Sequence, residues 1–168
     1  RSALAMGIIV DMTQPDDIAP ETPAWSGEDL SKNPHTVTDK AKKVEAMFTS
    51  IARTYDFNNR IHSMWRDQAW RNRVVSKARI SIDDKVVDVA CGTGDLSMAF
   101  YRAGVRSVLG IDFTQAMLDL AVAKAIKSGA NIKYEQGDAM NLQVEDASVD
   151  VVSIAFGIRN VQQPAKAI

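Results

Sequence analysis

The stretch 88-DVACGTGDLS-97 sets a carboxylate, a tight glycine turn and a second carboxylate within ten residues, directly after the apolar pair Val86-Val87. Gly92 and Gly94 let the backbone turn sharply and approach a ligand, since neither carries a Cβ. Such a turn delivers the chain into a helix whose first N–H groups have no partners. Two more acids stand at equivalent places. Asp112 ends the apolar run SVLGID, and Asp138 follows NIKYEQ within Gly137-Asp138-Ala139. The layout suits a phosphate, a nucleoside, or simply a bend between strand and helix.

The acids separate the first two. A dinucleotide site needs G-x-G-x-x-G, with pyrophosphate at the helix N-terminus; the third glycine position here is Ser97. Asp88 within the strand and Asp95 at the helix start are poor company for a pyrophosphate and suit a cation. S-adenosylmethionine carries an ammonium and a sulfonium and no phosphate. Asp112 is placed to accept hydrogen bonds from ribose hydroxyls, and Asp138 from an adenine amino group. Asp88, Gly92, Gly94, Asp112 and Asp138 are therefore candidate cofactor residues. Each has a plain alternative: a bare turn for the glycines, a helix cap for Asp112, a turn residue for Asp138. Their order at successive strand ends favours the site. Cys91 reads as a small buried filler. His35 and His62 have no cysteine or second histidine at ligand spacing, so no metal is expected.

The elements that must position these residues alternate. KVVDVA, SVLGID, NIKYEQ and SVDVVSIAF read as strands, residues 95–103 and 114–128 as helices, and Pro164 opens a further helix. That alternation predicts an α/β fold with a doubly wound, mostly parallel sheet. Upstream, Val44, Met47, Phe48, Ile51, Ala52 and Tyr55 recur at helical spacing. A break is expected over Asp56 to Asn59, then a second helix from Arg60 to Lys77. Four of five prolines lie in residues 15–34. The chain thus divides into a leader and disordered linker over 1–37, with residues 1–11 outside the fold, a helical cap over 38–79 and an α/β core over 80–168. Four strands and a severed helix fall short of a complete doubly wound sheet, so C-terminal strands are expected to be missing from a truncated core.

The 168 residues carry a net charge of −1, which gives no general pull toward nucleic acid. One cysteine excludes an intramolecular disulfide, and no apolar run reaches membrane-spanning length. Charge is nevertheless segregated: residues 40–79 hold ten basic and three acidic side chains. Such a block is either a solvated helix face or a surface for acidic lipid headgroups.

The glycine turn resembles the first motif of class I S-adenosylmethionine-dependent methyltransferases. More narrowly, 44-VEAMFTSIARTYDFNN-59, 88-DVACGTGDLS-97 and 156-FGIRNV-161 resemble the ubiquinone/menaquinone-biosynthesis C-methyltransferase family, with 110-GIDFTQAML-118 and 137-GDAMNL-142 in weaker agreement. The resemblance implies a Rossmann-like methyltransferase fold, S-adenosylmethionine as cofactor, Thr93 in the turn, Asp112 on the ribose and Asp138-Ala139 beside adenine. Ala155 departs from a serine frequent in the family, and Gln143-Val144 from a usual Pro-Phe.

The resemblance further implies methylation of a ring carbon of a polyprenyl hydroquinone, with Arg159 and Asn160 as catalytic candidates and Tyr55, Asp56 and Asn59 as a lid over the cofactor. Arg159 cannot serve as an ordinary base at neutral pH but can stabilise a phenolate; its alternative is a salt bridge. A substrate with an apolar tail implies a cytoplasmic protein that meets the inner face of a membrane transiently through 40–79. Pairing between copies of the chain is expected at an open sheet edge. The competing readings are an inactive S-adenosylmethionine-binding scaffold in quinone biosynthesis and a nicotinamide oxidoreductase.

Overall fold

The computed structural model describes residues 6–10, 40–64 and 66–167. In chain order the elements are β1 (Met6–Val10), α1 (Lys40–His62), α2 (Arg66–Ala78), β2 (Lys85–Val89), α3 (Asp95–Arg102), β3 (Ser107–Asp112), α4 (Gln115–Lys127), β4 (Lys133–Gln136) and β5 (Val151–Ala155). Two short 3₁₀ turns, Ile158–Asn160 and Pro164–Lys166, come after β5. Four of the five residues of β2 are buried, as a strand covered on both faces requires. Its β-branched valines suit that role.

Every strand pairing is parallel, and the sheet order is β1-β5-β2-β3-β4. From β2 the chain steps outward through β3 and β4, then returns to the other side of β2. The strand order therefore reverses between β2 and β5, and a crevice opens beyond their carboxyl ends, where ligands of open α/β sheets sit. Alternate side chains divide the core. Val86, Val108 and Val151 pack with Val74 and Ala78 of α2 and Leu96 and Phe100 of α3. Val87, Val89, Ile111 and Ile154 face the other way, against Leu142, Val144 and Ile158.

Three expectations change. Residues 1–11 are expected outside the fold, as part of a leader over 1–37, yet Met6–Val10 forms an edge strand paired with β5 from Met6↔Val151 to Val10↔Ala155. An apolar, β-branched segment satisfies the backbone groups that β5 would otherwise leave open. The rest of the expected leader and linker, residues 1–5 and 11–37, lies outside the described residues. The helix break falls at residues 63–64, not 56–59: α1 runs unbroken to His62, and Met64 takes a left-handed φ of 49°. The helix expected after Pro164 is a single 3₁₀ turn.

Candidate active site

The crevice at the reversal holds a cavity of about 240 Å³. Four strand ends and one helix build it. Ala90 and Gly92 come from the end of β2, Asp112, Phe113 and Thr114 from β3, Gly137 to Met140 from β4, and Ala155 to Gly157 from β5. Val44, Phe48, Tyr55 and Asn59, at helical spacing on α1, close it from above. The rings of Phe48 and Tyr55 meet edge to face at 5.9 Å. Arg159, Asn160 and Val161 finish the rim.

The two strand ends that flank the reversal are both forced. Ala90 and Phe156 adopt left-handed φ values of 53° and 62°, a conformation that costs a side-chain-bearing residue roughly 1–2 kcal/mol. Gly157 explains the tightness, since a Cβ there would lie 2.3 Å from the Cβ of Ala90. Both residues also pack, Phe156 on the ring of Trp70 at 6.5 Å and Ala90 on the core, and strain held at a crevice wall is of the kind found at ligand sites.

Asp112 ties the tips of β2 and β3 together. Its Oδ2 accepts the Gly92 N–H at 2.7 Å and its Oδ1 accepts the Thr114 N–H at 2.9 Å. Burial pushes its pKa up, and these backbone donors pull the other way. Asp112 is not the helix cap: Thr114 is the N-cap of α4 and no side chain caps it, so the Asp112 carboxylate shapes the turn before the helix and lines the cavity. Asp138 likewise accepts the Met140 N–H at 2.9 Å and lines the cavity. At Gly92 (φ 55°) an added Cβ meets nothing within 4 Å, so bare backbone faces the opening.

Seven of the ten candidate residues therefore share this cavity: Tyr55, Gly92, Asp112, Asp138, Ala139, Arg159 and Asn160. The remaining three sit below it. Asp88 is 1% exposed, and its two oxygens accept the hydroxyls of Ser97 at 2.6 Å and Ser153 at 2.9 Å. Through these two bonds it clasps β2 to α3 and β5. Thr93 is buried, its hydroxyl donating to Asp56 and accepting from Lys124. Gly94 serves packing, not ligand approach: a Cβ there would lie 2.4 Å from the Tyr134 hydroxyl. Asp88 and Thr93 border a second recess of about 50 Å³, with Arg71 and Asp95. This recess shares Tyr55, Ala90, Gly92, Ala155 and Phe156 with the larger cavity, so the two adjoin.

Several residues of the site escape a reading of the sequence. Phe113, Met117 and Met140 supply apolar wall; two of them stand directly after recognised positions, Asp112 and Ala139, which is the available signal. Val44 and Phe48 show as part of a helix stripe and of the stretch that carries the family resemblance, with nothing in either to mark them as cavity wall. Lys124 gives a weaker signal, one charge inside the apolar run LAVAKAI. It donates to Asp56 at 2.7 Å and to Asp95 at 2.5 Å, beneath the glycine turn. Among the described residues no group of three or more His, Cys, Asp or Glu could hold a metal. Cys91 is half-buried, and burial pushes its thiol pKa far up, against thiolate formation.

Comparison with known proteins places the geometry. The family model for the ubiE/COQ5 methyltransferase family matches residues 36–168. The ubiquinone/menaquinone biosynthesis C-methyltransferase UbiE of Bdellovibrio bacteriovorus is 42% identical over 126 residues, covering 74% of this chain and 54% of that protein. The demethylmenaquinone methyltransferase of Deinococcus radiodurans is 43% identical over 123 residues, covering 73% and 51%. The chain thus spans about half the length of the curated relatives it matches. Among solved structures, the YcgJ protein of Bacillus subtilis superposes with a TM-score of 0.56 at 24% identity, over 58% of this chain and 42% of that one. An S-adenosylmethionine-dependent methyltransferase of Clostridium acetobutylicum gives 0.50 at 21% identity, over 61% and 44%. At these identities the structural likeness speaks for the Rossmann-like fold alone.

Proposed function

Because the chain belongs to the ubiE/COQ5 methyltransferase family, we propose that its crevice binds S-adenosylmethionine and that the protein methylates a ring carbon of a polyprenyl hydroquinone of the demethylmenaquinol type. The observation that carries this reading is the convergence of Asp112, Asp138 and the bare backbone of Gly92 on one cavity with Arg159 and Asn160. The donor set fits the cofactor. The acids accept hydroxyl and amino hydrogens, and the apolar wall of Phe113, Met117 and Met140 takes a flat base. The adjoining recess lies beside Arg71, a cation suited to a carboxylate. One elongated ligand, nucleoside at one end and amino acid at the other, fits two cavities that share a wall.

Bound S-adenosylmethionine would supply an electrophilic methyl carbon to the ring carbon, with neutral S-adenosylhomocysteine as the leaving group and the ring proton passing to a water. The chain's residues align and polarise. Arg159 is exposed at the cavity rim, where its permanent charge stabilises the phenolate that makes the ring carbon nucleophilic. Asn160 donates to a quinol oxygen. The closing face of α1 excludes water and holds the two reactants in line.

The same helix supports a membrane contact. Tyr55 and Asn59 face the cavity, and residues two positions on point the opposite way, since two steps turn a helix by about 200°. There Phe57 is 67% exposed and Ile61 46%, with Met64 beyond them at 73%, next to the exposed Arg53 and Arg66. Apolar side chains among basic ones suit a bilayer interface with anionic headgroups. No helix among the described residues is long and apolar enough to cross a membrane, so the contact proposed is peripheral.

Calorimetry with S-adenosylmethionine and with NAD tests the cofactor: binding of the former alone is expected, and binding of NAD alone would sink the reading. Methyl transfer to a demethylmenaquinol, assayed with this chain and with a chain of the relatives' full length, tests the substrate. Cosedimentation with anionic vesicles is expected to fall between low and high salt and in a Phe57→Ser/Ile61→Ser variant; equal binding under all three conditions would remove the membrane contact.

A further inference from the structure

Helix α1 closes the cavity and is held at both ends. At its first residue, Lys40 is buried, and its ammonium donates to the carbonyls of Arg159 at 3.1 Å and Val161 at 2.9 Å. Toward its other end, Asp56 accepts from Lys124 at 2.7 Å and from the Thr93 hydroxyl. The cavity-lining Val44, Phe48 and Tyr55 lie between these tethers, with Asn59 just beyond.

The two tethers differ in kind. Lys40 is bonded to carbonyls in a nearly dry place, and burial lowers its pKa. The side chains of Lys124 and Asp56 keep 25% and 30% of their surface. Lys124 also does more than pair with the helix. The same ammonium reaches Asp95 at the start of α3 and Thr93 at 3.2 Å in the turn, so three elements meet on one nitrogen. Asp95 in turn lies 3.6 Å from Arg71, which holds Asp67 at 2.6 Å. If Asp56 leaves, Lys124 keeps Asp95 and Thr93, and the core stays neutralised. If α1 is to lift away from the cavity, this is the joint at which it parts with least disturbance.

We propose that Lys124 is a positioning residue: its ion pair with Asp56 pins α1 over the glycine turn, sets Tyr55 and Asn59 against the cofactor cavity, and releases to let cofactor exchange. The consequence for S-adenosylmethionine rests on the function proposed above, while the pinning itself does not. Lys124 touches neither cavity, so its effect on binding would be transmitted through the helix.

Hydrogen exchange of the whole chain, read by mass spectrometry without ligand, tests the pin. Asp56→Asn and Lys124→Met are each expected to speed exchange in residues 40–62 about tenfold, the scale of coupling within one charge network. Peptides of β2 and β3 should stay as in the parent chain, Lys124→Arg should restore most of the protection, and the double variant should add little to either single one. Unchanged exchange over 40–62 in both single variants, or an equal rise in the β2 and β3 peptides, overturns the proposal. Asp56→Asn leaves the contacts of Lys124 with Asp95 and Thr93, so it remains decisive where Lys124→Met fails to fold. With S-adenosylmethionine added, the dissociation rate should rise by a similar factor in Asp56→Asn and return in Lys124→Arg. Failure of the parent chain to bind S-adenosylmethionine would sink the functional reading, and the ligand-free exchange would still decide the pin.

Discussion

Replacing Asp88 with asparagine should stabilise the protein, and only above a defined pH. Asp88 is fully buried. Burial is the largest influence on it and raises its pKa from 3.8 to about 6, against the pull of the Ser97 and Ser153 hydroxyls. The folded state therefore holds the carboxyl proton more tightly than the unfolded chain does. The stability this contributes is fully present below about pH 3.8, drains away as pH rises, and is gone above about 6. The difference between 3.8 and about 6 amounts to about 3 kcal/mol. An amide cannot ionise, and rotating hydroxyls satisfy it: one serine donates to Oδ1, the other accepts from Nδ2. Asp88→Asn should gain up to about 3 kcal/mol over the parent at pH 7.5, equivalent to roughly 6–12 °C in Tm for a chain of this size. At pH 4 the gain should shrink below about 1 kcal/mol. Urea unfolding at pH 4, 5, 6 and 7.5 measures it. A difference independent of pH, or a parent chain more stable at pH 7.5, would refute the account of Asp88 as a buried structural clasp.

Gly157→Ala should cost about 1–3 kcal/mol by overpacking, because its new Cβ would lie 2.3 Å from that of Ala90; adding Ala90→Gly should return most of that in thermal melts. Tyr134→Phe should be at least as stable as the parent, by up to about 1 kcal/mol in denaturant titration, since the buried Tyr134 hydroxyl finds no hydrogen-bond partner among the described residues. Asp112→Asn keeps one acceptor where two backbone N–H groups, of Gly92 and Thr114, need one each, and should weaken S-adenosylmethionine binding in calorimetry by about tenfold or more.

Much of this is legible in the sequence because it rests on local pattern. The strands show as apolar runs ending in acids and the helices as 3.6-residue stripes. Asp112 and Asp138 show by their places at or just past the strand ends, whereas Ala139, Arg159 and Asn160 show through the family resemblance of the stretches that hold them. The features that do not show depend on partners far along the chain. Asp56, Asn58 and Asn59 look like a helix end by themselves, but Lys124, 68 residues away, neutralises Asp56, and the cavity receives Asn59, so the helix continues. The second glycine of the turn looks like an approach to ligand; the ring of Tyr134 fills that space, and Gly110 is bare for the same ring. Asp88 looks like a ligand because a carboxylate inside a strand is unusual. Only the three-dimensional meeting with Ser97 and Ser153 shows where its oxygens go.

The pairing of β1 with β5 has a temporal side. Met6 meets Val151, so β1 leaves the ribosome long before the neighbour it needs has been made. Contacts that span such separations form late and slowly. Until they form, β5 presents bare amides and carbonyls that a second nascent chain can take, a route to exchanged or aggregated strands. Speed of synthesis and protein concentration, more than final stability, would then govern how much of this protein a cell recovers in usable form.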